Sequence, residues 1–144
     1  MDELVYDDER LREILEHVHS IAVVGLSPKT NRPSYQVAEY MIAKGYDVIP
    51  VNPGHAGEEI LGKTVYGSLT QVPGSIDMVD IFRNSEAAGH VTDAAINLAP
   101  EKGIRVIWMQ LGVRNDAAAH RAEEAGITVI MDRCPKIEYP RLMG

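Results

Sequence analysis

Short apolar runs alternate with amphipathic stretches along almost the whole chain. Residues 21–24, Ile-Ala-Val-Val, form an uninterrupted apolar run of strand length, and residues 46–51, 77–82, 104–109 and 127–131 give four more strand-like runs. Between them the apolar positions recur at helical spacing. Leu11, Ile14, Leu15 and Val18 predict an amphipathic leading helix over 8–19. Val37, Ala38, Met41 and Ile42 predict a second over 33–44, with Pro33 in its first turn and Gly45 at its end. Val91, Ala94, Ala95 and Leu98 predict a third helix, with Ser85 as its N-cap, and an alanine-rich helix follows the cap Asn115 and ends at Gly126. Asn52-Pro53-Gly54 closes the second strand as a turn, and the glycine-rich loop to about Thr64 is the segment expected to be mobile. Short edge structure is expected at 64–66 and 68–69, and residues 132–144 read as an extended, irregular tail.

Strands that are apolar throughout and alternate with helices predict an α/β fold: a doubly wound, mainly parallel five-stranded sheet with helices on both faces. A length of 144 residues and 45% apolar content fit one domain over 1–144, with a leading helix in 1–20 and the tail after 132. Ligands of such sheets bind outside the carboxyl ends of the strands. That directs attention to residues 25–34, 52–53, 83, 110–114 and 132–136.

The net charge of -7, from 14 basic and 21 acidic residues, argues against a nucleic-acid footprint. Cys134 is the single cysteine, so neither an internal disulfide nor a zinc-type cysteine cluster is expected, which suits a reducing cytoplasm. The acidic start is unlike a signal peptide and no apolar run is long enough to span a bilayer, so a soluble cytoplasmic protein is the expectation. His17, His19, His55, His90 and His120 are scattered, His17 and His19 two apart on the leading helix, and predict no metal site. The triplet Asp7, Asp8 and Glu9 reads as a solvated helix cap.

The chemistry concentrates after the first strand, where Gly25 is followed by Leu-Ser-Pro-Lys-Thr-Asn-Arg-Pro-Ser. Second and third glycines at dinucleotide-fingerprint offsets are missing, so Gly25 alone is compatible with a plain tight turn. Ser27, Lys29, Arg32 and Ser34 nevertheless crowd the loop with donors, and the helix start marked by Pro33 presents free amide N–H groups suited to a phosphate. Asn52 ends the second strand where an NAD-binding domain usually places an acid, although Asn52 and Pro53 also suit a simple turn. Arg83 after the third strand can grip a phosphate while Phe82 packs under a base or an acyl-carrying arm. Trp108 and Gln110 share one face of the fourth strand, and Gly112 permits close approach after them. Core packing is the competing account of Phe82 and Trp108. Cys134 lies at the same edge as a nucleophile or mixed-disulfide partner, but it has no histidine nearby in sequence, which favours an unreactive thiol.

Six stretches in order, IAVVGLSPKTNRPSY, VIPVNPG, EEILGKTVYGSL, IDMVDIFRNS, VIWMQLGV and VIMDRCPKIEY, resemble the small stand-alone CoA-binding proteins. Their domain is similar to the nucleotide-binding domain of the succinyl-CoA synthetase alpha subunit. The resemblance implies a Rossmann-like fold that binds coenzyme A or an acyl-CoA, with the diphosphate near Gly25, Ser27 and the 32–34 helix start. It also implies Asn52 and Pro53 beside the nucleotide portion, Phe82 and Arg83 beside the diphosphate or pantetheine, and Trp108, Gln110, Gly112 and Cys134 along the rest of the groove. The synthetase continues into a domain with a phosphorylated histidine that has no counterpart before Gly144, so no synthetase reaction is expected. The reading is a CoA-binding carrier, sensor or subunit without catalytic residues, with a homo-oligomer or a protein partner left open. An NAD(P)-binding or acyl-transferring enzyme, and a structural subunit with an empty pocket, are the alternatives.

Overall fold

The computed structural model describes residues 3–144, so Met1 and Asp2 of the leading segment lie outside the described residues. In chain order the elements are α1 (Asp8–His17), β1 (Ser20–Val24), α2 (Pro33–Ala43), β2 (Asp47–Val51), β3 (Glu59–Ile60), β4 (Lys63–Thr64) and β5 (Met78–Ile81). They continue as α3 (Ser85–Lys102), β6 (Val106–Met109), α4 (Asp116–Glu124), β7 (Thr128–Ile130) and α5 (Pro135–Met143). β2, β1, β5, β6 and β7 form one sheet in that order, and every neighbouring pair is parallel. The order reverses beside β1, which puts a crevice at the carboxyl ends of β1 and β5.

Both faces of the sheet are covered, so successive residues of one strand are buried in opposite directions. Val23, Met78, Trp108 and Ile130 pack beneath α1, α2 and α5, and Ala22, Val79, Ile107 and Val129 pack beneath α3 and α4. This is why the strands read as continuous apolar runs. Asp7 caps α1, its carboxylate accepting from the Glu9 amide at 3.0 Å. The expected loop after β2 holds the short antiparallel pair β3 and β4, and Tyr66 bridges in parallel to Val51.

Four expectations are corrected. The tail is not extended: Pro135 occupies the first turn of α5, where its missing N–H costs nothing, and Glu138 and Leu142 turn inward. Arg141 pairs with Glu138 of the same helix at 2.6 Å and ties the helix to Asp8 of α1 at 2.9 Å. Ser85 is not the cap of α3; Asn84 is, accepting from the Ala87 amide at 2.8 Å, while the Ser85 hydroxyl accepts from the Arg114 amide at 3.0 Å. The inward stripe of α3 is Ala88, Gly89, Thr92 and Ala95, whereas Ala94 is exposed and Val91 and Leu98 are half-buried. Close packing on Ala118 and Ala122 of α4 selects small side chains here: a Cβ at Gly89 would stand 2.6 Å from the side-chain carboxamide nitrogen of Asn115. His19 lies beyond the end of α1 rather than on it.

Candidate functional site

Gly25 leaves β1 at φ +90, a conformation that favours glycine, and its amide donates to the Val51 carbonyl at 2.8 Å. A Cβ there would meet the Phe82 carbonyl oxygen at 2.4 Å and the Arg83 side chain at 3.0 Å. The first loop and the end of β5 therefore touch through backbone. Beyond Gly25 the loop is held by its own hydroxyls. The Ser27 amide donates to the buried Ser34 hydroxyl at 3.0 Å, and the Lys29 amide donates to the Ser27 hydroxyl at 3.1 Å. Asn52 donates from its side chain to the Leu26 carbonyl at 3.0 Å and accepts from the Gly54 amide at 3.0 Å. Its carboxamide thus latches the loop to the end of β2.

Helix α2 starts without a cap. Arg32 stands in the cap position and makes no side-chain bond to the first turn, and Pro33 has no N–H to give. The amides of Ser34 and Tyr35 are left without a capping acceptor, unlike α3 and α4, whose asparagine caps each accept from the first turn. An anion at this point satisfies those amides and the positive end of the helix dipole.

A groove of about 510 Å3 opens over this helix start. Gly25, Ser27 and residues 32–34 form one wall, residues 82–84 with Arg83 the middle, and Gln110, Leu111 and Val113 the far wall. Arg32 and Arg83 are exposed, and neither side chain forms an ion pair among the described residues. Arg83 also borders a second recess of about 250 Å3, lined mainly by Val24, Val51, Pro53, Leu69 and Val91. The carboxyl edge of the sheet thus carries an apolar recess, then a cationic amide-rich centre, then a half-apolar groove ending at Gln110.

Gln110 is 7% exposed, and its side-chain oxygen has no hydrogen-bond partner among the described residues. Its backbone is fully used, donating to the Ile81 carbonyl at 3.2 Å and accepting from the Val113 amide at 2.8 Å. Other sequence-predicted residues do not line this groove. Trp108 is fully buried and its indole N–H donates to the Arg133 carbonyl at 3.0 Å. Cys134 is buried at the head of α5, and Gly112, at φ +80, donates its amide to Asp132 at 2.7 Å. Lys29 is exposed on the loop and lies outside the groove walls.

Sequence reasoning missed Asp80, Leu111 and Val113. Asp80 is 1% exposed on β5, on the sheet face shared with Phe82, and its Oδ1 has no partner among the described residues. Burial pushes its carboxyl up to about 8, so it is protonated at neutral pH. An acid inside the apolar run Asp-Met-Val-Asp-Ile-Phe was the available signal. No group of His, Cys, Asp and Glu able to hold a metal occurs among the described residues. No helix among them is long and apolar enough to cross a membrane.

Known proteins resemble this chain over most of its length. The model of a family described as CoA binding domain matches residues 19–140. The Bacillus subtilis (strain 168) protein YneT is 40% identical over 129 residues, covering 90% of this chain and 91% of YneT. A solved structure of a Pyrococcus horikoshii OT3 protein is 38% identical, with a TM-score of 0.89 over the full length of both chains. A Thermus thermophilus structure is 34% identical, with a TM-score of 0.88 over 95% of this chain and 99% of the other.

Proposed function

The chain belongs to the CoA-binding domain family, and from that premise we propose that it binds coenzyme A, free or acylated, along the carboxyl edge of its sheet as a non-catalytic carrier or sensor. The observation that carries this reading is the uncapped start of α2 set against Gly25 and flanked by Arg32 and Arg83. Two guanidinium groups without ion-pair partners among the described residues and at least two uncapped amide N–H groups line one groove, a set of charges and donors suited to a diphosphate. The apolar recess beside Pro53 accommodates the adenine, with Arg83 at the boundary between base and phosphates. The pantetheine arm then runs past Phe82 towards Gln110.

The residues around the groove favour binding over chemistry. Cys134 is buried and does not border the groove, and the one histidine among the residues lining groove and recess is His90, at the adenine recess rather than beside the arm. Asn52 spends its side chain on the loop, so an acid that would accept from an NAD ribose is replaced by a structural latch. Titration calorimetry with CoA from micromolar to millimolar concentrations tests the reading. The expected result is saturable heat together with a rise of several degrees in melting temperature at 100-fold excess over Kd, as mass action requires. No heat and no thermal shift with CoA, or stronger stabilisation by NAD(P), would reject it.

A further inference from the structure

β7 is an edge strand of the sheet, and the start of the chain crosses that edge. Leu4 packs on the core cluster that holds Val129 and Met131, and Tyr6 packs on the opposite cluster, which holds Ile130. Val5 between them is 85% exposed. Among the described residues no backbone-to-backbone hydrogen bond joins residues 3–6 to the sheet. The attachment runs through side chains instead. The Met131 amide donates to the Tyr6 hydroxyl at 2.8 Å, the Arg133 guanidinium donates to the Leu4 carbonyl at 2.8 Å, and the same guanidinium lies 5.0 Å from the centre of the Tyr6 ring. A segment held by a few side-chain contacts and no ladder belongs to the low-stability end of a fold.

Both anchors lie in the connector between β7 and α5, and that connector supports the far wall of the groove. The Arg133 amide donates to the Met109 carbonyl at 3.3 Å, and the Arg133 carbonyl accepts from the Trp108 indole at 3.0 Å. Asp132 donates its amide to the Val113 carbonyl at 3.2 Å and accepts from the Gly112 amide at 2.7 Å. It does so at φ +56, in the left-handed region, so its neighbours rather than its own backbone preference hold the turn. Leu111 and Val113 of the wall therefore rest on residues that the chain start fixes.

We propose that residues 3–6 are a releasable strap. Docked on Met131 and Arg133, the strap orders the wall at 110–113; released, it lets the wall move and a bound ligand leave faster. The hold on the wall is independent of the ligand's identity, and the effect on ligand release rests on the CoA reading.

Amide hydrogen exchange and displacement of bound CoA in a stopped-flow mixer test the strap on the full chain. Wild type is compared with Tyr6→Phe, which loses only the hydroxyl, with Tyr6→Ala, which also loses the ring, and with Arg105→Ala as a control at the other end of the strands. In Tyr6→Ala the Gly112 and Asp132 amides are expected to exchange about 5- to 30-fold faster, and CoA to dissociate faster by a similar factor. Tyr6→Phe should give a smaller change of the same kind, and the control none. Unchanged exchange at Gly112 and Asp132 in folded Tyr6→Ala, or equal acceleration over the whole chain, overturns the strap. Faster exchange at those amides with unchanged CoA dissociation overturns its control of ligand release and leaves the CoA reading standing. Wild type that does not bind CoA overturns the CoA reading and the ligand-release half with it, while exchange at Gly112 still decides whether the strap holds the wall.

Discussion

A second groove, of about 720 Å3 against about 510 Å3, runs from the amino ends of β1 and β5 along the edge strand β2. It is the larger of the two, yet its strand-end polar groups are matched internally. Asp77 accepts from the His19 amide at 2.8 Å and the Ser20 amide at 3.1 Å, and Arg105 approaches it at 3.5 Å. The Ser20 hydroxyl in turn accepts from the Asp77 amide at 2.9 Å. A Cβ placed on Gly74 in that groove meets nothing within 4 Å, whereas one on Gly25 collides with backbone. Volume therefore does not separate the two edges; unmatched donors, an unmatched acceptor and a backbone contact that excludes a side chain do.

The two acids near the ends of β5 express the same contrast. Burial alone would raise the Asp77 carboxyl, but the His19 and Ser20 amides and the Arg105 guanidinium outweigh it and hold the group below the usual carboxylate range. Asp80, three residues on, has only burial acting on it and is pushed up to about 8. One acid stabilises the fold when charged; the other is a local cost carried near the carboxyl edge.

The largest expected effect comes from Gly25→Val. The side chain would have to displace the Phe82 carbonyl at a positive φ, so a destabilisation of roughly 2–4 kcal/mol and loss of CoA binding are expected. Urea unfolding and calorimetry measure the two, and a stable variant that binds normally would erase the distinction between the edges.

Asp80→Asn is next. An acid whose carboxyl is raised on folding keeps its proton to about 8 while the unfolded chain releases it near the ordinary value, so its contribution to stability falls as pH rises between those limits. Replacing it should stabilise the protein by roughly 2–4 kcal/mol at neutral pH and flatten the decline between about pH 5 and pH 8. Urea midpoints across that range read the effect, and a pH profile identical to wild type would contradict it.

The smallest effects come from a matched pair of arginines. Arg83→Ala should weaken CoA binding by about 1–3 kcal/mol with little change in stability, because the side chain is exposed and has no internal partner among the described residues. Arg105→Ala should do the reverse, costing about 0.5–1 kcal/mol of stability through its contacts to Asp77 and the His17 carbonyl at 3.0 Å while leaving CoA affinity unchanged. Equal losses of affinity in both variants would mean that the amino-end groove also contributes to binding.

Local chemistry was enough to single out the candidate edge. A buried-strand run, a glycine that must turn, a proline that opens a helix and basic residues after strand ends are all encoded within a few positions, so the parallel sheet and the loop 25–34 are legible in the chain itself. Relations between distant segments were not. Pro135 and Pro140 obscured α5, whose inward side is set by α1 and the sheet, and the stripe of α3 is chosen by the alanines of α4 across the interface. Trp108 and Cys134 sit near the expected edge in sequence, but the helix after β7 buries them. Alternation puts Gln110 on the face of Trp108, yet that its oxygen is buried without a partner among the described residues follows from the packing of the whole fold. Periodicity and turn chemistry act over a few residues, while hydrogen-bond satisfaction and burial are properties of what the whole fold brings together.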